Sequence, residues 1–281
     1  TASACDLDLQ CTGEIRNLII NDASCVATLV KPVTLSGGLT ITAGTLDTGA
    51  DHALTVDGKT TITGTLTCNA STVSLGSGVT SDWGIEMAAN GTFNGGSGTH
   101  TAGAIKCTTD STFDFTNQTT TINAESTSNN RFFELTDGNV THSSGTIILT
   151  AASTADIQWY TTEGDNGPWD LTINNASCRT GGRTDITILN DLTITAGEYN
   201  TQSTSVSAKP NLTVTGDVSV TGTLTGNDSA ISMGSLTIQV GGTYTATSAT
   251  TTITGESDAG MAWNNVETDG TGFAHSDGKV S

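Results

Sequence analysis

The chain of 281 residues carries 33 Gly, only 3 Pro, 57 Thr, 5% aromatic and 13% charged residues, about half the charged fraction of an average soluble domain. Its 28 acidic residues against 9 Lys and Arg give a net charge of -19, and the few cations are dispersed, which excludes a nucleic-acid partner because phosphate neutralisation needs clustered Lys and Arg. The longest apolar runs, residues 18–20 and 147–149, fall far short of the roughly 18 residues that span a bilayer, and the recurring Ile, Val and Leu argue against disorder.

The N-terminal stretch, residues 1–16, reads as a cap or attachment segment. It begins at Thr1 with no Met, basic n-region or apolar h-region, the expectation for a chain processed or cut from something longer. Of six cysteines, Cys5 and Cys11 are the candidate disulfide pair, able to staple that cap if the protein matures in an oxidising compartment. No Cys-x-x-Cys or Cys/His zinc spacing occurs.

Residues 17–165 form a first repeat copy and residues 166–281 a second. Residues 21–25 (NDASC) match 174–178 (NNASC), and 39–48 (LTITAGTLDT) match 192–201 (LTITAGEYNT). The alignment continues from 54–58 to 212–216, from 63–67 to 221–225 and from 119–126 to 250–257, with the second copy 27 residues shorter near positions 76–102. Within each copy Leu39, Ile41 and Ala43 alternate with Thr, as do Leu54 and Val56, Leu212 and Val214, Val218 and Val220, and Leu236 and Ile238. This is the period of two of a half-buried strand, with Thr favoured on the exposed side. Turn signals such as Gly37-Gly38, Asn90-Gly91, Asp137-Gly138 and Gly241-Gly242 punctuate the strands, and no window shows a helical period.

Short strands in long tandem copies predict an all-β fold, a parallel β-helix-like solenoid in which each turn of chain pairs with the one before. A deletion of 27 residues is about one coil, and loss of a whole coil shortens a stack without changing which faces are buried. At roughly 20–27 residues per coil the expectation is about 10–13 coils and, at about 4.8 Å per stacked strand, a rod some 50–60 Å long. An array of β-sandwiches is the alternative, less able to explain the missing coil. The second copy stops at residues 278–281, the counterpart of 145–148. An edge left open there is expected to be covered by another subunit of the same protein, giving a fibre or closed oligomer.

Few residues suggest chemistry. Asp47, Asp51 and Asp165 lie in Asp/Asn-rich turns and are the candidate oxygen ligands for Ca²⁺; the plainer reading of the acidity is a solvated, self-repelling surface. No other cofactor is expected. Cys68 and Cys107 fall at apolar positions of the alternation and read as small core hydrophobes, and the repeat-equivalent Cys25 and Cys178 as a buried repeat position. His52, His100, His142 and His275 are far apart, and His142 and His275 are repeat equivalents, which favours a turn role over catalysis. Trp83, Trp159, Trp169 and Trp263 serve either as carbohydrate platforms or, more simply, as packing. Asn-x-Ser/Thr triplets at Asn69, Asn90, Asn117, Asn139, Asn175, Asn211 and Asn227 leave glycosylation open. Nucleophile-elbow, P-loop and zinc-protease motifs are absent, so no catalytic residue is assigned and an enzyme is not expected.

Two stretches, LTITAGTLDTGADHALTVDGKTTITGTLTCNASTVSLGS and LTVTGDVSVTGTLTGNDSAISMGSLTIQVGGTYTATSATTTITGES, resemble the repeat-rich virion proteins of tailed bacteriophages, especially marine ones. Similar strings occur in adhesins of bacterial surfaces. The resemblance implies a non-enzymatic structural or attachment role in an extracellular assembly: a phage virion fibre or surface-exposed virion component, or else a bacterial or archaeal surface adhesin or filament subunit. The expected partners are other copies of the chain and a cell-surface carbohydrate or receptor. A polysaccharide-degrading solenoid and an ice-binding Thr array are further alternatives. The first lacks the cations and aromatics that hold sugar, and the second requires a regular Thr-x-Thr spacing that the sequence does not have.

Overall fold

Period-two alternation of Leu, Ile and Val with Thr gives strands with one apolar side, and here that side is buried by pairing each strand with one from the next turn of chain. The computed structural model describes residues 3–7, 14–79, 82–126, 128–142, 144–153, 157–162, 167–202, 209–257, 260–267 and 270–281. Those residues form 29 strands and no helix, and the fold is an all-β solenoid of parallel ladders. Two compact units are present, Thr1–Gly145 and Thr146–Ser281.

Each coil of unit 1 contributes one short strand to each of three faces. Face 1 stacks Val33–Leu35, Leu54–Val56, Val73–Leu75, His100–Ala102 and Thr119–Ile122. Face 2 stacks residues 18–20 and 39–41 with Thr60–Ile62, Ile85–Met87, Ile105–Cys107 and Arg131–Leu135. Face 3 begins with the backbone of Ser3–Leu7 beside residues 25–29, and continues through 45–47, Thr65–Thr67, Thr92–Asn94, Thr112–Phe115 and Asn139–His142. Leu46 pairs with Leu66, Leu66 with Phe93, Phe93 with Phe113, and Phe113 with Val140, so successive coils take 20, 27, 20 and 27 residues, within the expected range. Unit 2 repeats the scheme, with Leu171, Leu192, Val218, Leu236 and Trp263 in register on face 2 and Leu212, Ile231 and Thr251 on face 1.

The core is the inward rank of these faces. Leu35, Leu39, Ile41, Leu46, Leu54, Val56, Ile62 and Leu66 are completely buried, each worth about 1.5–3 kcal/mol relative to exposure. Thr is not confined to the outside, however. Thr60, Thr120 and Thr251 occupy inward positions and are buried, because a β-branched side chain of Val-like volume fits the rank even though its hydroxyl does not profit. Only Thr251 finds a partner there, the Tyr244 hydroxyl at 2.5 Å; Thr60 and Thr120 bury an unpaired Oγ1.

Other threonines tie the coils together. At the corner after face 3, Thr48 donates its hydroxyl to the Cys68 carbonyl of the next coil at 2.7 Å, and its counterpart Thr201 donates to Gly226 at 2.7 Å. Thr116 and Thr247 donate likewise to the preceding coil, to Gly98 and Ser229, both at 2.6 Å. The repeated NDASC/NNASC segment also has a physical cause: it bulges outward between faces 2 and 3, where the ladder loses register. Asp22 Oδ1 accepts from the Ser24 amide at 2.8 Å and Asn175 Oδ1 from the Ser177 amide at 2.9 Å, closing the same turn in each unit.

The missing coil is visible in the ladders. In unit 1 Leu75 pairs with Ala102 and Ala102 with Ile122, whereas in unit 2 the counterparts of Leu75 and Ile122, Met233 and Ile253, pair directly.

Candidate functional site

The outward ranks decide what these faces can do. On face 1 of unit 1 they read Thr34, Thr55, Ser74, Thr101 and Thr121; on face 1 of unit 2, Thr187, Thr213, Ser232 and Thr252; on face 2 of unit 2, Thr172, Thr193, Ser219 and Thr237. These ranks carry hydroxyls and no charge, in a chain whose net charge is -19. Thr pairs irregularly spaced in sequence thus fall into regular ranks, because the variation in coil length is absorbed at the corners.

Face 2 of unit 1 differs, and sequence reasoning missed it. Its outward rank runs Thr61, Glu86, Lys106 and Glu134. Lys59 Nζ lies 2.6 Å from Glu86 and 3.2 Å from Asp82, and Lys106 reaches Glu86 at 4.0 Å. Burial opposes the Lys59 charge, but hydrogen bonds to Glu86 and Asp82 outweigh it and hold the ammonium above its ordinary range. The backbone N–H of Trp83 and then Lys59 hold Asp82 below the usual carboxylate range. Lys106 sits 6.0 Å over the Trp83 ring, and Arg131 pairs with Glu134. Every carboxylate here is matched by a cation one to three residues or one coil away, so the ladder locks register and leaves no unpaired acid poised for general acid or base work.

The residues expected from sequence are dispersed. Asp47 Oδ1 accepts from the Gly49 amide and from Asn69 Nδ2, both at 2.7 Å, while Asp51 is exposed and 3.9 Å from His52; among the described residues no three His, Cys, Asp or Glu side chains converge as metal ligands. Asp165 lies outside the described residues, as do Cys11 and the side chain of Cys5. Cys68 and Cys107 are fully buried core residues, as expected. Cys178 is buried too, but its counterpart Cys25 is partly exposed. Trp83 and Trp159 are buried packing residues, and Trp263 packs edge-on against Phe273 at 4.8 Å. Asn69, Asn175 and Asn227 spend their amide groups on protein hydrogen bonds.

Burial raises the thiols of Cys68 and Cys107, with the charge of Asp47 adding to the effect at Cys68, and the thiolate is the reactive form. Both cysteines are therefore expected to stay unlabelled by a thiol reagent at pH 8 in the folded chain and to react in urea, as read by peptide mapping. Native labelling of either at the rate of a free thiol would contradict the inward register.

Among the described residues of unit 2, a groove of about 450 Å³ is lined by Cys178, Arg179, Gly197, Glu198, Gly222, Thr223 and Gly241. Arg179 Nε and Glu198 Oε2, both in that lining, lie 3.3 Å apart. Compared with known proteins, the chain matches no family model, no curated protein and no solved structure.

Proposed function

We propose that the chain is a non-enzymatic structural and attachment protein of an extracellular assembly, a fibre or surface-exposed component of a phage virion. The observation that carries this reading is the character of the outward ranks: short hydroxyl side chains repeated coil after coil on face 1 of both units and face 2 of unit 2, with the charges on face 2 of unit 1 paired among themselves. A surface of this kind offers repeated weak polar contacts over a length, which suits attachment through many equivalent sites better than turnover at one. A bacterial or archaeal surface adhesin or filament subunit is the second reading, favoured by the same ranks.

Self-association accompanies either reading. Met261, Val266 and Val280 are exposed and the rings of Trp263 and Phe273 half-buried, apolar surface that a second copy would cover. Antibody raised against the purified chain and imaged by immunogold electron microscopy separates the settings. Label on virions supports the first reading, label on cell envelopes the second, and label on neither overturns both.

A further inference from the structure

One side chain has no place in the structural role just described. His100 stands at an inward position of face 1, between Val73 and Thr120, where every other coil of unit 1 places Leu, Val or Thr. It is 6% exposed, its Nε2 has no hydrogen-bond partner within the protein, and neither has Oγ1 of Thr120, the next residue in the rank. Both border a small cavity of about 10 Å³ whose remaining lining is Val73, Leu75, Ile85, Phe93, Thr101, Ala102 and Phe113. The Phe93 ring meets the imidazole edge-on at 5.7 Å and stacks on Phe113 at 4.4 Å. Each strand packed against His100 therefore presents an apolar or hydroxyl side chain. Among the described residues that line this cavity there is no carboxylate, lysine, arginine or second histidine to balance a positive charge.

His100 also belongs to the 27-residue coil that unit 2 lacks. Unit 2 has no equivalent of it, and His275, the unit 2 counterpart of the partly buried His142, is exposed.

We propose that His100 is a proton-triggered release point built into unit 1: uptake of one proton by its imidazole opens the coils closed by Val73–Leu75, His100–Ala102 and Thr119–Ile122, while unit 2 keeps its protection. The direction follows from burial. Desolvation lowers the titration of His100 from 6.5 to about 4 in the folded chain, so the unfolded form takes up the proton first. The contribution of this site to stability is complete above pH 6.5 and is lost as the pH falls from 6.5 to about 4. Across that window the opening equilibrium shifts by up to about 300-fold, the factor set by linkage.

Hydrogen exchange of the full chain, read by peptide mass spectrometry at pH 7 and pH 4.5 with exposure times scaled for intrinsic exchange, tests this. Peptides covering residues 73–122 are expected to lose protection by tens of fold at pH 4.5, peptides from 186–253 much less, and His100→Leu is expected to remove the loss over 73–122 while any loss around residues 139–142, where burial also lowers His142 to about 4, persists. Equal acid loss in wild type and His100→Leu, or loss spread evenly over both units, overturns the proposal. Should His100→Leu fail to fold, NMR titration of the four histidine rings in the unaltered chain decides. The assigned His100 ring staying neutral until residues 73–122 open supports the release point, whatever the partly buried His142 does, and a His100 ring titrating near 6.5 in the folded chain overturns it.

Discussion

Ile41→Ala, and separately Ile194→Ala, is expected to lower the free energy of unfolding by about 2–5 kcal/mol, while Thr40→Ala stays within about 0.5 kcal/mol. The two isoleucines are repeat counterparts, both completely buried on face 2, with Ile20 and Ile62 in register on either side of Ile41 and Ile173 and Val220 beside Ile194. Removing either leaves a void between coils that cannot collapse, because the ladder hydrogen bonds above and below fix the strand spacing. Thr40 lies on the same strand one residue away and faces out. Urea melts of the three variants check the assignment, and equal losses at Ile41 and Thr40 would contradict it.

The second large effect is expected at glycine. Gly197 has φ +91° and lies under the NNASC bulge, where an added Cβ would press into the carbonyl oxygens of Asn175 and Cys178. Gly241 has a similar φ, +84°, with nothing within 4 Å of an added Cβ. Gly197→Ala is expected to cost about 2–5 kcal/mol, combining the left-handed backbone at about 1–2 with overpacking at about 1–3. Gly241→Ala meets only the first of these. Thermal or urea unfolding of the pair separates conformation from contact, and equal costs would show that the bulge can give way. Gly44, beneath Asp22 and Cys25 in unit 1, is expected to behave like Gly197.

What sequence reveals here follows from what is local. Alternation along one strand is local, so the faces of Leu39 and Ile41, Leu54 and Val56, and Leu212 and Val214 were legible, and so was the omitted coil, because the repeat supplies its own alignment. The partners of a strand in this fold sit 18 to 29 residues away, as Val218 with Leu236 and Tyr244 with Phe273 show, and the distance changes from coil to coil with the length of the corners. The pairing of Glu86 with Lys59 and Lys106, and the tie from Asn69 to Asp47, depend on that register and leave no trace in spacing. Thr60, Thr120 and His100 were hidden for another reason: each is a polar residue in an apolar rank, and alternation cannot say that the rank continues through it. Asp47 was read as a turn residue and candidate cation ligand; its carboxylate instead accepts from the Gly49 amide and from Asn69 of the next coil.

The extra coil of unit 1 also gives this architecture an arithmetic. A coil can be inserted or lost whole, between Leu75 and residue 103, with the strands on either side meeting the same kind of neighbour as before. Removing residues 76–102 joins Leu75 to Gly103 and reproduces the unit 2 sequence order of Met233 followed by Gly234. Growth by this route is quantised: each event adds or removes one strand spacing, about 4.8 Å, on all three faces at once and leaves the side walls unchanged. Reach can then be tuned over generations in steps of one coil, and a newly gained coil is where an unusual residue such as His100 can appear without disturbing the copy that lacks it.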